Sequence, residues 1–356
     1  MITYRLITIH ELPDFIRSRF FAQLPEIPIT PHRALSLAAN PRAHATDPAL
    51  LLALDENENL LGYWGFLSDF AVGDPVKKTY WNSGWRMLPG SSHTAMPLLY
   101  KALQLCNGNI FFSDLTPHTR EILAATGKVT IMERQGIRWY FKSCLKDIIP
   151  AKKPALRFLA PLFFIADATI NLFARTKTRK LPEDITIEEC MPAEADKIFI
   201  DSHSKNSLSA RNIAELKWIT ENPWVIKSED DKPEIRDRYY FTSSAKDFRV
   251  RLFRINHSSE AIALALVNYR NGHITLPFYL CHPGKEKMAS DALTHIISKM
   301  KPVSFTTFHQ QLNSGLTLRA LYKKTTIRYF AWGGKVPVSN PDALLIQDGD
   351  GDCAFT

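Results

Sequence analysis

The sequence predicts an α/β (α+β) protein of two tandem domains, each a mixed twisted sheet flanked by helices, joined by an apolar linker helix. Three observations carry this expectation. First, one pattern occurs twice, 194 residues apart: Pro89-Gly90 precedes Ala95, Leu98, Leu99, Ala102, Leu103 and Cys106, and Pro283-Gly284 precedes Ala289, Ala292, Leu293, Ile296, Ile297 and Met300. Apolar residues at i, i+3, i+4, i+7, i+8 and i+11 form the buried stripe of a helix. Second, an apolar, aromatic-rich stretch precedes each Pro-Gly (Thr79 to Leu88; His273 to Cys281), so strand, tight loop and helix are written twice. Third, 356 residues with 45% hydrophobic content suit two domains of ordinary size with real cores.

The copies run in parallel order. A first strand (2–8; 184–189) leads to helices within 10–39 and 192–221. Strands are expected at Leu50 to Leu54 and Leu60 to Phe70, and in the second copy at Tyr239 to Thr242, Arg249 to Asn256 and Ala261 to Tyr269. Asn57-Glu58-Asn59 and Asn256-His257-Ser258-Ser259 read as hairpin turns. After the repeated central unit come a strand (109–115; 303–309), a helix (117–126; 313–324) and a closing strand (130–142; 326–332). The expected boundaries are therefore 1–145 for the first domain, 146–182 for the linker, 183–335 for the second domain and 336–356 for a tail.

Leu156 to Ala174 is almost wholly apolar, with Lys152 and Lys153 before it and Arg175, Lys177, Arg179 and Lys180 after it. Asp167 falls inside, and a charge mid-span costs about 2.5–3.5 kcal/mol on insertion scales, which argues against a spanning helix. Two readings remain: a linker helix buried between the domains, or a helix lying on an acidic membrane surface through 156–174.

The net charge is +8, which favours anionic partners, and the 44 Lys and Arg are spread along the chain without a basic arm, so no nucleic acid is expected. The five cysteines are far apart and no C-x-x-C occurs, so neither a zinc site nor a disulfide framework is readable. With no signal-peptide run at the start, the expected location is cytoplasmic, with membrane association left open. The tail reads Asp348-Gly349-Asp350-Gly351-Asp352-Cys353, which fails the EF-hand pattern because Cys353 stands where glycine is needed, and no metal is expected.

A loop that opens a helix after a strand presents backbone N–H groups and a positive dipole end to an anion. Gly90 and Gly284 permit unusual dihedrals there, and Lys285 and Lys287 add charge to the second loop. Long strand, Pro-led loop, helix, strand, helix, strand is similar to the acyl-CoA-binding core of the GNAT superfamily of acetyltransferases, and two such units resemble its tandem members. The resemblance covers about 2–145 and 184–335. Of the family loop Arg/Gln-x-x-Gly-x-Gly/Ala, only the closing alanines, Ala95 and Ala289, are kept.

The resemblance implies an acyltransferase that moves an acyl group, typically acetyl from acetyl-CoA, directly to a small-molecule amine. It implies donor contacts at Gly90, Ser91, Ser92 and Ala95 in the first copy, and at Leu280, Cys281, Gly284, Lys285, Lys287, Met288, Ala289 and Asn313 in the second. It also implies a tyrosine acid on the late helix, on which Tyr322 falls, so the second copy is the expected seat of the chemistry, with the donor pyrophosphate on the 284–289 loop. An ammonium is not a nucleophile, so a base is needed, and His309 and His282 end the strands flanking the expected cleft. Cys281 also reads as a buried, inert strand thiol. Transfer from aminoacyl-tRNA to a peptide, and a non-catalytic CoA-binding or membrane-surface scaffold, are the alternatives.

Overall fold

The computed structural model describes residues 1–71, 74–173, 181–193, 196–203, 207–334, 336 and 344–355. Along the first half run β1 (Thr3–Thr8), α1 (Leu12–Phe15), α2 (Arg19–Gln23), α3 (Pro31–Ala38), β2 (Pro48–Leu54), β3 (Leu60–Ala71), β4 (Asp74–Met87), α4 (Ala95–Leu105), β5 (Ile110–Phe112), α5 (Pro117–Ala125) and β6 (Val129–Tyr140). Then come α6 (Leu145–Lys152), α7 (Ala160–Phe173), β7 (Ile185–Cys190), α8 (Lys197–His203), α9 (Ile213–Glu221), β8 (Ile226–Lys227), α10 (Pro233–Arg236) and β9 (Ser244–Ala245). The chain continues through β10 (Phe248–His257), β11 (Glu260–Arg270), β12 (His273–Cys281), α11 (Glu286–Met300), β13 (Ser304–Thr307), α12 (Gln310–Gly315) and β14 (Tyr322–Gly333).

Two compact units are formed. The first gathers Met1–Arg134, Met191–Val250 and Arg328–Thr356, and the second gathers Gln135–Cys190 and Arg251–Ile327. Within the first, β1, β2, β3 and β4 pair antiparallel in sequence order, and β5 joins β4 in parallel. Within the second, β7, β10, β11 and β12 are neighbours in order, and β13 joins β12 in parallel. The copied order of strands is therefore a copied sheet.

The expected domain boundaries differ from these units. The closing strand of each sheet comes from the other half of the sequence: β14 pairs with β5 through Ala331↔Phe112 and Trp332↔Phe111, and β6 pairs with β13 from Ser304↔Tyr140 to Thr307↔Ile137. A closing strand's alternation specifies which face it buries but not which sheet edge it joins. The strand expected at Tyr239 to Thr242 is absent, and β9 begins at Ser244.

The repeated helices seal one face of each sheet. Leu98, Leu99, Ala102 and Leu103 of α4 pack with Trp64, Tyr80 and Phe112, and Ala289, Ala292, Leu293, Ile296 and Ile297 of α11 pack with Ile262, Ala265, Leu276 and Phe305. Both Pro-Gly loops are type II turns: Gly90 and Gly284 sit at φ +83° and +82°, and the N–H of Ser91 and of Lys285 donates to the carbonyl of Leu88 and of His282, each at 3.0 Å.

Candidate functional site

Each central strand carries an irregularity beside its parallel neighbour. In the first unit the last β4–β5 pair is Trp81↔Phe111, and directly beyond it Ser83 and Gly84 together oppose Gly65 on β3. In the second unit the last β12–β13 pair is Thr275↔Thr306, and directly beyond it Leu276 and Pro277 oppose Val267 on β11. A bulge bends its strand, and Pro277 has no N–H to offer a ladder. Both central strands run on past their parallel partner, to Met87 and to Cys281, and open a gap at the end where the Pro-Gly loop stands.

The loops beside the two gaps differ in charge. In the second, the N–H of Gly284 donates to Glu286 Oε1 at 3.0 Å, and Glu286 heads the first turn of α11. These backbone hydrogen bonds hold the Glu286 carboxyl below the usual carboxylate range. The protein's own carboxylate thus takes the place expected for a pyrophosphate oxygen, because a helix entrance favours any anion, including one in its own first turn. Lys287 is matched by Asp291 at 2.7 Å. The first loop has no acid in the first turn of α4: Ser91, Ser92 and His93 precede Thr94, whose hydroxyl donates to the Ser91 carbonyl at 2.7 Å.

The remaining second-copy residues lie as follows. His309 is buried at the N-terminus of α12, its ring edge-on to Tyr279 at 5.7 Å, and the Asn313 N–H donates to its carbonyl at 3.0 Å. Tyr279 and Cys281 share a strand face, and burial pushes the Cys281 thiol up to about 11, where it is inert at neutral pH. Leu280 and Ala289 are buried, Met288 is half-buried against the core, and His282 is exposed with Nδ1 2.8 Å from the Pro283 carbonyl. Tyr322 is not on a helix. α12 stops at Gly315, whose Cα approaches Ser290 of α11, and Tyr322 begins β14, 61% exposed and 6.0 Å from the Tyr140 ring. The helix-to-strand change falls where Tyr322-Lys323-Lys324-Thr325-Thr326-Ile327 turns β-branched.

The first unit assembles residues that the sequence did not single out. Gly351 lies against Trp81 and Ser113, and Ser113 Oγ donates to Asp352 Oδ1 at 3.1 Å. The carboxyl of Asp352 is raised, chiefly by burial, with Arg33 opposing the shift. Arg33 Nη2 donates to the carbonyl of Ser83 at 2.5 Å and to its hydroxyl at 2.6 Å, so a fixed cation stands on the β4 bulge. Trp81 Nε1 and Ser209 Oγ each donate to Asp69 Oδ2 at 2.8 Å, and Arg42 bridges Asp69 and Glu215. Two carboxylates on one guanidinium titrate apart: Arg42 holds Asp69 low, while burial, with Asp69 adding to it, pushes Glu215 up to about 7.

The tail is an integral part of this unit. Arg211 donates to the Gly349 carbonyl, Arg328 to that of Asp348 at 2.6 Å, and Arg134 to that of Ile346. Phe355 stacks on Trp224 with ring centroids 4.4 Å apart. A small cavity beside it is lined by Asp69, Ser209, Arg211, Glu215, Gly351 and Phe355, among others. Among the described residues no cluster of three or more His, Cys, Asp or Glu could hold a metal.

No family model matches the chain, and no curated protein matches it. Among solved structures it is similar to a conserved protein of unknown function from Enterococcus faecalis, a probable N-acyltransferase, with TM-score 0.51 and 11% identity over 93% of this chain and 72% of that one. It is also similar to a GCN5-related N-acetyltransferase from Anabaena variabilis, with TM-score 0.50 and 8% identity over the same shares. Two sheets with a split beside the central strand, each followed by a turn that opens a helix, give this chain the fold of the GCN5-related N-acetyltransferase superfamily.

Proposed function

We propose that the chain is an acyl-CoA-dependent N-acyltransferase, that acetyl-CoA serves as donor, and that a small-molecule amine accepts the acyl group. The observation that carries the choice of site is the contrast between the two loops. Glu286 occupies the Gly284 N–H, whereas the loop from Gly90 to Ala95 brings only hydroxyls and His93 to its helix entrance. The donor pyrophosphate therefore belongs on the first loop, and the thioester in the gap beyond Trp81↔Phe111.

The chemistry follows from the residues around that gap. A bulge leaves a residue outside the ladder, so Ser83 and Gly84 offer backbone groups to a thioester carbonyl without breaking a strand pair. Asp352, beside Ser113 at the end of β5, is the group we assign as base. A carboxyl raised by burial sits closer to neutrality, where it takes a proton from an ammonium more readily than an ordinary aspartate does. The freed amine attacks the thioester carbon, the C–S bond breaks, and the proton that the nitrogen loses passes through water to the leaving CoA thiolate. Positioning and fixed dipoles carry the rate, with no covalent intermediate on the protein.

Titration calorimetry with acetyl-CoA tests the reading. One site per chain is expected, with the product CoA competing for it. An absence of heat at millimolar acetyl-CoA, or saturation that survives a carboxylate placed in the first loop, overturns it.

A further inference from the structure

α7 is turned inside out. Asp167 and Asn171 face the protein: Asp167 is buried, accepting from Ser143 Oγ at 2.5 Å, from the Leu145 N–H at 2.8 Å and from the Lys146 N–H at 3.0 Å. It thereby caps the start of α6, and those bonds hold its carboxyl below the usual range against its burial. Asn171 exchanges two hydrogen bonds with the Ser143 backbone, at 2.7 and 3.0 Å. The opposite face is apolar and open: Phe158 in the preceding 3-10 turn, Leu162, Ile165 and Leu172 are 61–75% exposed. The hydroxyl of Thr169 on that face is satisfied by the Ile165 carbonyl at 3.0 Å. The expectation of a helix buried in the protein thus fails, since Asp167 is the one fully buried residue described in it.

The charge around this helix is one-sided. Residues 142–180 hold nine Lys and Arg against two Asp, a net +7 out of the chain's +8, so the rest of the sequence is close to neutral. Arg175, Lys177, Arg179 and Lys180 contribute to this count by sequence alone and lie outside the described residues. Lys146, Lys152, Lys153 and Arg157 are exposed along the hairpin, and Lys146 stands over the Phe164 ring at 5.5 Å. The apolar helical run Pro154–Leu172, of 19 residues, has the length to cross a bilayer, but Asp167 inside it is hydrogen-bonded to Ser143, Leu145 and Lys146 and would carry its charge into the hydrocarbon. Asp167 and Asn171, fixed to Ser143 and the start of α6, leave it a surface element.

We propose that the α6–α7 hairpin lies flat on an anionic lipid surface, with Phe158, Leu162, Ile165 and Leu172 among the acyl chains and Lys146, Lys152, Lys153 and Arg157 on the headgroups. An apolar stripe rimmed by basic side chains matches that environment in both polarity and sign. A second copy of this chain presents the same positive rim and repels it.

The test is sedimentation of the full chain with phosphatidylcholine vesicles, with and without about one-third phosphatidylglycerol. Binding is expected to be at least about tenfold tighter on the anionic vesicles and to weaken as salt is raised. The triple variant Leu162→Ser/Ile165→Ser/Leu172→Ser should lose binding by about tenfold or more with an unchanged circular dichroism spectrum. Lys152→Glu/Lys153→Glu, which leaves the apolar face whole, should lose the anionic preference. No vesicle binding by the parent chain, or binding that survives both variants, overturns the proposal. So does a concentration-dependent dimer that the triple variant abolishes, because the face is then covered by a second copy.

Discussion

Ser92 and Glu286 occupy the same place in the repeat, each three residues after the proline of its loop. Their exchange tests which copy can seat a nucleotide thioester. In Ser92→Glu the new carboxylate stands two residues after Gly90, whose φ of +83° matches the +82° of Gly284, and it reaches the Gly90 N–H as Glu286 reaches that of Gly284 at 3.0 Å. Two effects then oppose the donor. A charge-assisted hydrogen bond from the loop is taken, about 1.5–3 kcal/mol. A like charge about 4 Å away in water adds about 1 kcal/mol per phosphate charge. For one phosphate charge the sum of roughly 2.5–4 kcal/mol corresponds to acetyl-CoA binding about sixtyfold to several hundredfold weaker. The assay is calorimetry with acetyl-CoA on Ser92→Glu, Glu286→Ser and the double exchange, with thermal unfolding run alongside. The parent and Glu286→Ser should both bind on the first loop, and Ser92→Glu should not. Unchanged affinity in Ser92→Glu, or a loss caused by Glu286→Ser alone, refutes the assignment of the donor to the first unit.

Three further outcomes are expected. Asp352→Asn should lower kcat by about 10²–10⁴ with the KM for acetyl-CoA unchanged, and should flatten the acid limb of the rate profile, because the base is lost as pH falls through its raised pKa; equal falls in binding and turnover would reduce Asp352 to a structural residue. Asp350, with one oxygen accepting from the Gln347 N–H at 2.9 Å, is pushed by burial up to about 7 from an ordinary 3.8. The native state holds a proton there that the unfolded chain releases, so stability is lost as pH rises through that interval, by at most about 1.4 kcal/mol per pH unit; urea unfolding should show Asp350→Asn gaining on its parent from pH 4.5 to 7, and parallel curves would refute the raised carboxyl. Phe355→Ala removes a side chain that is 1% exposed and stacked on Trp224; it should cost about 3–5 kcal/mol in urea unfolding, and a loss below about 1 kcal/mol would show that the tail does not hold this unit.

The repeat was legible because it is local. The range His273 to Cys281 is β12 residue for residue, and the apolar stripe from Ala289 to Ile297 is the buried face of α11. Pro277 and Gly84, breaks inside strand-like runs, could have marked both bulges. Glu286 could also have been read as an acid in the first helical turn, competing with the very anion that Lys285 and Lys287 invite. Other features were beyond reach. Tyr322 lies in a run whose helical reading fails only because the approach of Gly315 to Ser290 ends α12 early, a tertiary fact. The tail reads as a poor cation loop because nothing in Asp-Gly-Asp-Gly-Asp names the arginines that hold it: Arg134, Arg211 and Arg328 stand 212, 138 and 20 residues before their partners.

The exchange of closing strands has a consequence for how such a protein is made. The first unit needs Arg328–Thr356, so a ribosome must pass Arg328 before the earliest sheet can receive its last edge. Until then β5 waits with an unpaired rim, a template for wrong partners, and folding depends on contacts of very large sequence separation. The two copies are bound to a common fate: a cut at the midpoint leaves two fragments, each missing the strand that the other carries.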